Sequence, residues 1–278
     1  MNISVIIPVY NGENYYKNFL NNLESFLENY GKDSEIILVN DGSTDSTHEL
    51  FSSILNISYL KKNNGGVSSS RNYGLKYSKN DFVVFLDIDD IIDFCILKKN
   101  LKNCEIQFSN YKIDGLVNEK YRDVESMKSA IFLEQFLKRK IKFHLGSFIF
   151  KRSFLIENSI YFDDQSTYGE DLKFIFQCLL SSNNISLNSE PYFNYILASN
   201  SNSSAMNSPV GLKKLKFIDD LDQFVLKNKK FNFFKFCVCL SLIKYSLKYG
   251  YTDRFVKNEL YNKTCSSFFK FVKSEILL

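Results

Sequence analysis

The first ninety residues repeat one pattern. A short apolar run with no polar face gives way to a polar loop rich in Asn, Asp or Gly, and then to a segment whose apolar residues recur every three or four positions. Ile3 to Pro8 reads I-S-V-I-I-P, a strand buried on both faces. After Y-N-G, apolar residues at 16, 19, 20, 23, 26, 27 and 30 mark a helical stripe that starts from Glu13. Glu35 to Asn40 (E-I-I-L-V-N) is a second buried strand, followed by the turn D-G-S-T-D and a helix predicted from Leu50, Phe51, Ile54 and Leu55. Ile57 to Leu60 is a short third strand leading into N-N-G-G, with a helix over Val67 to Tyr77 despite Gly74. The fourth strand, Asp81 to Leu86, stops at three carboxylates, Asp87, Asp89 and Asp90. Strands alternating with helices predict an α/β fold with a doubly wound, mostly parallel sheet, because parallel neighbours need a crossover that packs on the sheet face.

Beyond residue 90 the signals are sparser. Ile106 to Lys112 and Phe148 to Lys151 read as strands, Val124 to Leu137 as a helix, and P-Y-F-N-Y-I, within the Asn- and Ser-rich stretch 183–208, as an edge strand. Glu170 to Ser182 is a helix, with Leu172, Ile175, Phe176, Leu179 and Leu180 on one face. From about Val210 the periodicity is helical to the end, and there is no internal repeat. These breaks divide the chain into an α/β domain, 1–206, with halves 1–90 and 91–206, and a C-terminal helical extension, 207–278.

Composition narrows the classes. A chain that is 45% hydrophobic and 16% aromatic packs as a globule rather than staying disordered. The N-terminus has no basic region ahead of a long apolar run, so it reads as a first strand and not a signal peptide, and no stretch approaches a membrane span. The six cysteines, Cys95, Cys104, Cys178, Cys237, Cys239 and Cys265, form no C-x-x-C pair, which predicts reduced thiols in a cytoplasmic protein and no zinc site. The net charge of +4 is unevenly spread: residues 1–206 carry 21 basic and 25 acidic groups, and 207–278 carry 14 and 6. The basic, aromatic tail, with Lys213, Lys214, Lys216, Phe217, Lys229, Lys230, Phe233, Phe234 and Lys235, suggests attachment to an anionic membrane surface, against the plainer reading of a packed helical subdomain with a solvated basic face. Nucleic acid is not an expected partner, since no recognised motif accompanies the charge.

The four loops that follow the first four strands carry Y-N-G-E, D-G-S-T-D, N-N-G-G-V-S-S-S-R-N and D-I-D-D, and all must open on one edge of a parallel sheet. Glycines for close backbone approach, an Arg and several carboxylates on that edge suit a phosphorylated nucleotide held partly through a metal. Each loop alone is also ordinary turn chemistry, and the aspartates at 87, 89 and 90 could merely cap a helix starting near Ile91.

The segments S-V-I-I-P-V-Y-N (4–11), I-I-L-V-N-D-G-S-T-D (36–45), N-G-G-V-S-S-S-R-N-Y-G (64–74), F-L-D-I-D-D (85–90) and G-E-D (169–171) resemble, in order and spacing, the inverting glycosyltransferases of family 2, which have the GT-A nucleotide-sugar fold. The resemblance is strong over 1–90, weaker over 145–205 and lost after about 210. It implies that Pro8, Val9 and Tyr10 line the nucleobase pocket with Glu13 and Gly66 nearby, that Asp41 accepts the uracil N–H, and that Arg71 sits beside Asp41 and the ribose or phosphates. Asp87-Ile88-Asp89 looks like the D-x-D motif, which implies that Asp87 and Ile88 lie near the ribose and that Asp89, with Asp87, holds Mn²⁺ or Mg²⁺ against the diphosphate. Asp171 resembles the base that deprotonates the acceptor hydroxyl, with Glu170 orienting it; both are also ordinary first-turn acids of a helix. Asp90 could stand behind the metal ligands or on the acceptor side, where His144 and Gly169 also fall, although His144 also reads as a structural histidine with its bonds satisfied. Tyr192, Tyr195 and the N-S-N-S-S stretch at 200–204 resemble a Y-x-Y-R segment followed by Ser, with Ile196 in the place of the Arg.

The implied activity is metal-dependent, inverting transfer of one hexose or N-acetylhexosamine from a UDP-sugar to a glycan or lipid-linked glycan acceptor, in lipopolysaccharide, lipooligosaccharide or capsule. It would run in the cytoplasm or on the inner face of the plasma membrane. The absence of Trp excludes the Q-x-x-R-W motif of processive synthases. One alternative is a catalytically silent nucleotide-sugar or glycan-binding module on the same fold. The other, a sugar-phosphate nucleotidyltransferase, carries a G-x-G-T-R type loop that Tyr10-Asn11-Gly12-Glu13 does not resemble.

Overall fold

The computed structural model describes residues 1–118, 125–166, 169–197 and 262. The N-S-N-S-S stretch and, apart from Asn262, the basic C-terminal region lie outside the described residues. By contacts the chain divides into one unit of 1–132, 143–165 and 170–199, and a second of 133–142, 166–169 and 200–278. The sheet and the site belong to the first.

In chain order the elements are β1 (Ile3–Val9), α1 (Tyr16–Tyr30), β2 (Glu35–Asn40), α2 (Thr47–Phe51), β3 (Ser58–Lys61), α3 (Gly66–Tyr77), β4 (Phe82–Phe85), β5 (Ile91–Ile92), α4 (Phe94–Asn100), β6 (Ile106–Ile113), β7 (Leu116–Asn118), β8 (Ser126–Lys128), α5 (Ser129–Leu137), β9 (Phe148–Lys151), α6 (Arg152–Glu157), α7 (Glu170–Ser181) and β10 (Asn184–Tyr195). The strands form one sheet of order β3-β2-β1-β4-β9-β6-β10-β5, with β7 on β6 and β8 on β10. The first four strands are parallel. β9 then runs antiparallel to both β4 and β6, which leaves β6 and β10 parallel to each other and aligned with the first four. The carboxyl ends of all the long strands therefore share one edge.

The apolar runs are where both-face burial requires them. Every residue of β1 and β4 is buried, and each such Val, Ile or Phe contributes about 1.5–3 kcal/mol relative to exposure. α1 covers one sheet face with Phe19, Leu23, Phe26 and Tyr30; Phe19 meets Phe51 edge-on with centroids 5.3 Å apart, and Phe26 meets Phe94 at 5.2 Å.

Four local expectations change. The helix after β2 stops at Phe51, and Leu55 is exposed. The predicted helix over Val124 to Leu137 begins only at Ser129, because Ser126–Lys128 pairs as β8 with the start of β10. On α7 Leu180 is 53% exposed, and Phe174 and Cys178 take the buried positions. The P-Y-F-N-Y-I segment is not an edge: β10 pairs β6 on one side and β5 and β8 on the other. Its register with β6 shifts between Asn188 and Phe193, where Pro191, lacking an N–H, cannot join the ladder.

Candidate functional site

Two loops are tied together at the carboxyl ends of β1 and β2. The Asn11 N–H donates to Ser43 Oγ (2.9 Å), the Thr44 N–H to Asn11 Oδ1 (2.8 Å) and the Gly12 N–H to Thr47 Oγ1 (2.8 Å). Glu13 belongs to the same tie, its N–H donating to Asp45 and its carboxylate accepting the Ser46 N–H at 3.2 Å. It is not among the residues that wall the cleft described next.

Between the ends of β1 and β4, where the strand order reverses direction, lies a cavity of ≈ 210 Å³. Such switch points are where open α/β sheets take ligands. Its walls are Pro8, Val9 and Tyr10 from β1 and its loop, Asp41 after β2, Val67 and Ser70 on α3, and Asp87, Ile88 and Asp89 after β4. Tyr10 stands 52% exposed at the mouth. Asp41 is buried, and its carboxylate accepts from Lys62 Nζ (2.5 Å), the Gly65 N–H (3.0 Å) and the Gly66 N–H (2.8 Å). Gly66 reaches it with φ +85°, a left-handed backbone that glycine adopts without strain. Lys62 was not singled out in the sequence; its signal was a basic residue opening the glycine-rich loop after β3.

Arg71, expected beside Asp41 and the ribose or phosphates, makes its ion pairs with other carboxylates, and Lys62 pairs with Asp41. Arg71, on α3 and buried, sends Nη2 to Asp87 Oδ1 (2.7 Å) and Nη1 to Asp171 Oδ1 (2.6 Å), with Glu170 at 3.8 Å. Its guanidinium carbon lies 5.2 Å from the centroid of the Phe162 ring, which stacks on Phe174 at 4.0 Å. Asn72 fixes that wall by accepting the Phe162 N–H (2.9 Å) and donating to the Phe162 carbonyl (2.8 Å). Burial lowers the Arg71 pKa, but the charges of Asp171, Asp87 and Glu170 outweigh it and hold the guanidinium protonated.

A second cavity, ≈ 190 Å³, shares Asp87 with the first and is walled by Phe85, Asp90, His144, Gly146, Asp171, Phe193 and Tyr195. Asp171 comes from the first turn of α7. Burial, opposed by Arg71 and reinforced by Glu170 and Asp87, pushes its pKa up to about 7. Asp90 is pushed up to about 8 by burial and by Asp87, against an N–H bond from Ile196 at 3.1 Å. His144 stacks on Tyr195 with centroids 4.3 Å apart and meets Tyr111 edge-on at 4.8 Å. Gly169, with φ +70°, immediately precedes α7 and belongs to the other unit.

The aspartates at 87, 89 and 90 do not cap the next helix. That helix is α4, which starts at Phe94, and its cap is Asp93, whose side chain accepts the Ile96 N–H at 3.0 Å. Asp89 has no Lys or Arg within ion-pair distance among the described residues, and burial and the Asp87 charge both raise its pKa. Two like-charged oxygen donors facing one cleft fit the protein side of a hard cation site. Among the described residues no group of three carboxylates, His or Cys is arranged to hold a metal. Phosphate oxygens and water would have to complete the shell.

Sequence comparison gives the family of this architecture, a cleft at the switch point adjoining a carboxylate-lined cavity. The model of the family described as "Glycosyl transferase family 2" matches residues 4–157, more than half of the chain, and the chain belongs to that family. Among its relatives is the poly(ribitol-phosphate) beta-N-acetylglucosaminyltransferase TarS of Staphylococcus aureus, 30% identical over 208 residues, which cover 70% of this chain and 35% of TarS. The enzyme TarP of the same name and organism is 28% identical over 81% of this chain and 72% of its own. The crystal structure of S. aureus TarS 1-349 in complex with UDP-GlcNAc superposes with TM-score 0.60 and 26% identity, over 74% of this chain and 61% of that one. The chain thus spans about a third of the length of full TarS. The fold is the GT-A fold of that family. No helix among the described residues is long and apolar enough to cross a membrane.

Proposed function

We propose that the chain transfers one N-acetylhexosamine, with inversion, from a UDP-sugar to a hydroxyl of a cell-surface glycan. The observation that carries this reading is the pair of adjoining cavities with Asp87 in the wall of both: a nucleotide cleft on one side, and on the other a cavity walled by the half-buried carboxyl of Asp171, whose pKa suits a base. The names of TarS and TarP support N-acetylglucosamine as the first sugar to test, and put a polyol-phosphate polymer ahead of lipopolysaccharide or capsule as the acceptor.

In this reading Tyr10 packs on the uracil. Asp41 has three of its roughly four lone-pair directions filled by Lys62, Gly65 and Gly66, leaving one for the ring N–H. Asp89 and Asp87 would hold Mn²⁺ or Mg²⁺, which supplies Lewis-acid stabilisation of the departing diphosphate. Asp171 takes the acceptor hydroxyl proton as that oxygen attacks the sugar carbon in line, so no covalent intermediate is needed. Arg71 holds Asp171 by one oxygen, orienting the carboxylate while its other oxygen faces the acceptor. Asp90, in the wall of the same cavity as Asp171, faces the acceptor.

The test is UDP release from a panel of UDP-sugars with Mn²⁺, with and without polyol-phosphate and lipopolysaccharide acceptors, for the wild type and Asp171→Asn. Acceptor-stimulated release from one donor, lost in the variant, supports the reading. UDP binding with no release on any acceptor identifies a silent binding module instead.

A further inference from the structure

Residues 87–90 carry three of the site's carboxylates on a loop that the sheet barely holds. After β4 ends at Phe85, the Leu86 N–H makes one more ladder bond, to the Ile6 carbonyl at 3.0 Å. Within the loop, the Asp90 N–H reaches the Asp87 carbonyl at 3.1 Å. The remaining main-chain anchors come from α1. Asn18 Nδ2 donates to the Ile88 carbonyl at 3.0 Å and to the Asp90 carbonyl at 3.3 Å, and Asn22 Nδ2 donates to the same Asp90 carbonyl at 2.9 Å. Asn22 Oδ1 also accepts the Ile92 N–H at 3.2 Å. One side-chain amide thus pairs the C=O and the N–H that flank Ile91, as a neighbouring strand would.

The two asparagines are four residues apart, so both amides point the same way from consecutive turns of α1. Asn22 is buried between Phe19, Leu23 and Phe26, in a stripe where an apolar side chain would otherwise continue the face. A buried amide in an apolar stripe is tolerated only when its hydrogen bonds are made, and here they are made to the loop.

We propose that Asn18 and Asn22 are positioning residues for the donor site, holding the Ile88 and Asp90 carbonyls so that the Asp87 and Asp89 side chains face the nucleotide's diphosphate. The inference rests on the donor-site reading above for its ligand, but not for the loop contacts themselves. It separates two parts of the nucleotide. The base is held by Asp41, which is fixed by Lys62, Gly65 and Gly66 and not by α1; the ribose in part and the diphosphate above all depend on the 87–90 loop.

The experiment compares the full chain with Asn18→Ala, Asn22→Ala and, as a control, Asn21→Ala, an exposed neighbour on the same helix. Hydrogen exchange is followed over residues 86–92, 3–9 and 35–40, and calorimetry measures uridine and UDP binding in Mn²⁺. In Asn18→Ala and Asn22→Ala, amides 86–92 should exchange about tenfold faster, with β1 and β2 unchanged, and UDP affinity should fall about tenfold and uridine affinity by less, because Asn18→Ala leaves the Ile88 carbonyl without its donor, while Asn22→Ala removes the acceptor of the Ile92 N–H and leaves the Asp90 carbonyl only the longer Asn18 bond. Unchanged exchange over 86–92, or equal weakening of uridine and UDP, overturns the proposal. If Asn22→Ala does not fold, the half-buried Asn18→Ala carries the comparison. If the wild type binds neither uridine nor UDP, the donor-site reading fails, and the exchange result alone decides whether the asparagines position the loop.

Discussion

Arg71→Met removes the cation that Asp87, Asp171 and Glu170 share while keeping most of its aliphatic stem. The guanidinium is 3% exposed and holds two carboxylates at 2.6 and 2.7 Å and a third at 3.8 Å. Removing one partner of a buried ion pair costs about 3–5 kcal/mol because the other is left charged in a poor solvent. Asp171 and Asp87 are 37% and 48% exposed, so water compensates part of that loss, and the lower end, about 3 kcal/mol at pH 8, is expected. The sign of the pH dependence follows from the direction of the shifts. Asp171 already has a folded pKa above its unfolded value, and losing Arg71, which lowers it, raises it further. A raised carboxyl stabilises the fold fully below its unfolded pKa and loses that contribution as pH rises through the folded one. The variant's Asp171 carboxyl, protonated, is thus tolerated at pH 5, and its ionised form is penalised at pH 8. Urea unfolding of both proteins at the two values should give a difference at pH 5 less than half that at pH 8. An equal difference at both would mean that the loss is packing against Phe162 rather than charge, and a difference below about 1 kcal/mol at pH 8 would refute the buried-counterion argument outright.

Asp171→Asn should retain UDP affinity within about twofold and lose transfer by at least about a hundredfold, the usual range for a general base; full activity would reassign the base. In the wild type, kcat/KM should rise with pH through about 7 as Asp171 loses its proton. Glu170→Gln, removing a like charge that raises Asp171, should move that limb to lower pH, and an unmoved limb would sever the two residues. Asp41→Asn forfeits charge-assisted bonds to Lys62 and two backbone N–H groups, each bond to a charge contributing about 1.5–3 kcal/mol, so calorimetry should show UDP binding at least about tenfold weaker. At Gly146 a Cβ would come 2.3 Å from Phe193 Cε2, so Gly146→Ala must displace a wall of the second cavity. It should raise the acceptor KM with UDP affinity intact, and an unchanged acceptor KM would remove that cavity from the acceptor's path.

What the sequence made legible follows the range of the interactions involved. β1 to β4 and their helices are local: each strand buries both faces and each helix one, so the apolar pattern alone reports them. Pairing direction and partner are non-local. Nothing within Phe148–Lys151 says that it runs against β4, and nothing in P-Y-F-N-Y-I says that β5 will cover its outer side. Likewise 124–137 contains a helix, yet its first residues were captured as β8 by a strand some sixty positions away. At the site, the loops D-G-S-T-D and D-I-D-D announced polar chemistry on one edge, but a charge does not announce its partner. Arg71 lies sixteen residues before Asp87 and a hundred before Asp171, and only the fold brings it to both. Asn18 and Asn22 did leave a signal, an amide inside an otherwise apolar helical stripe, which the count of apolar positions passed over.

The reversed strand β9 allows two kinds of chemistry to be encoded separately. The nucleotide cleft is built from segments that leave strands at their carboxyl ends, and shifting one of those loops disturbs the crossover to the next helix. His144 to Ser147 instead enter β9 at its amino end, and reach the same rim from the opposite direction. Residues ahead of that strand can change in length or identity without altering any crossover of the nucleotide half. A lineage could therefore reshape that one wall of the second cavity by rewriting the approach to a single short strand, while the crossovers around the first are inherited unaltered.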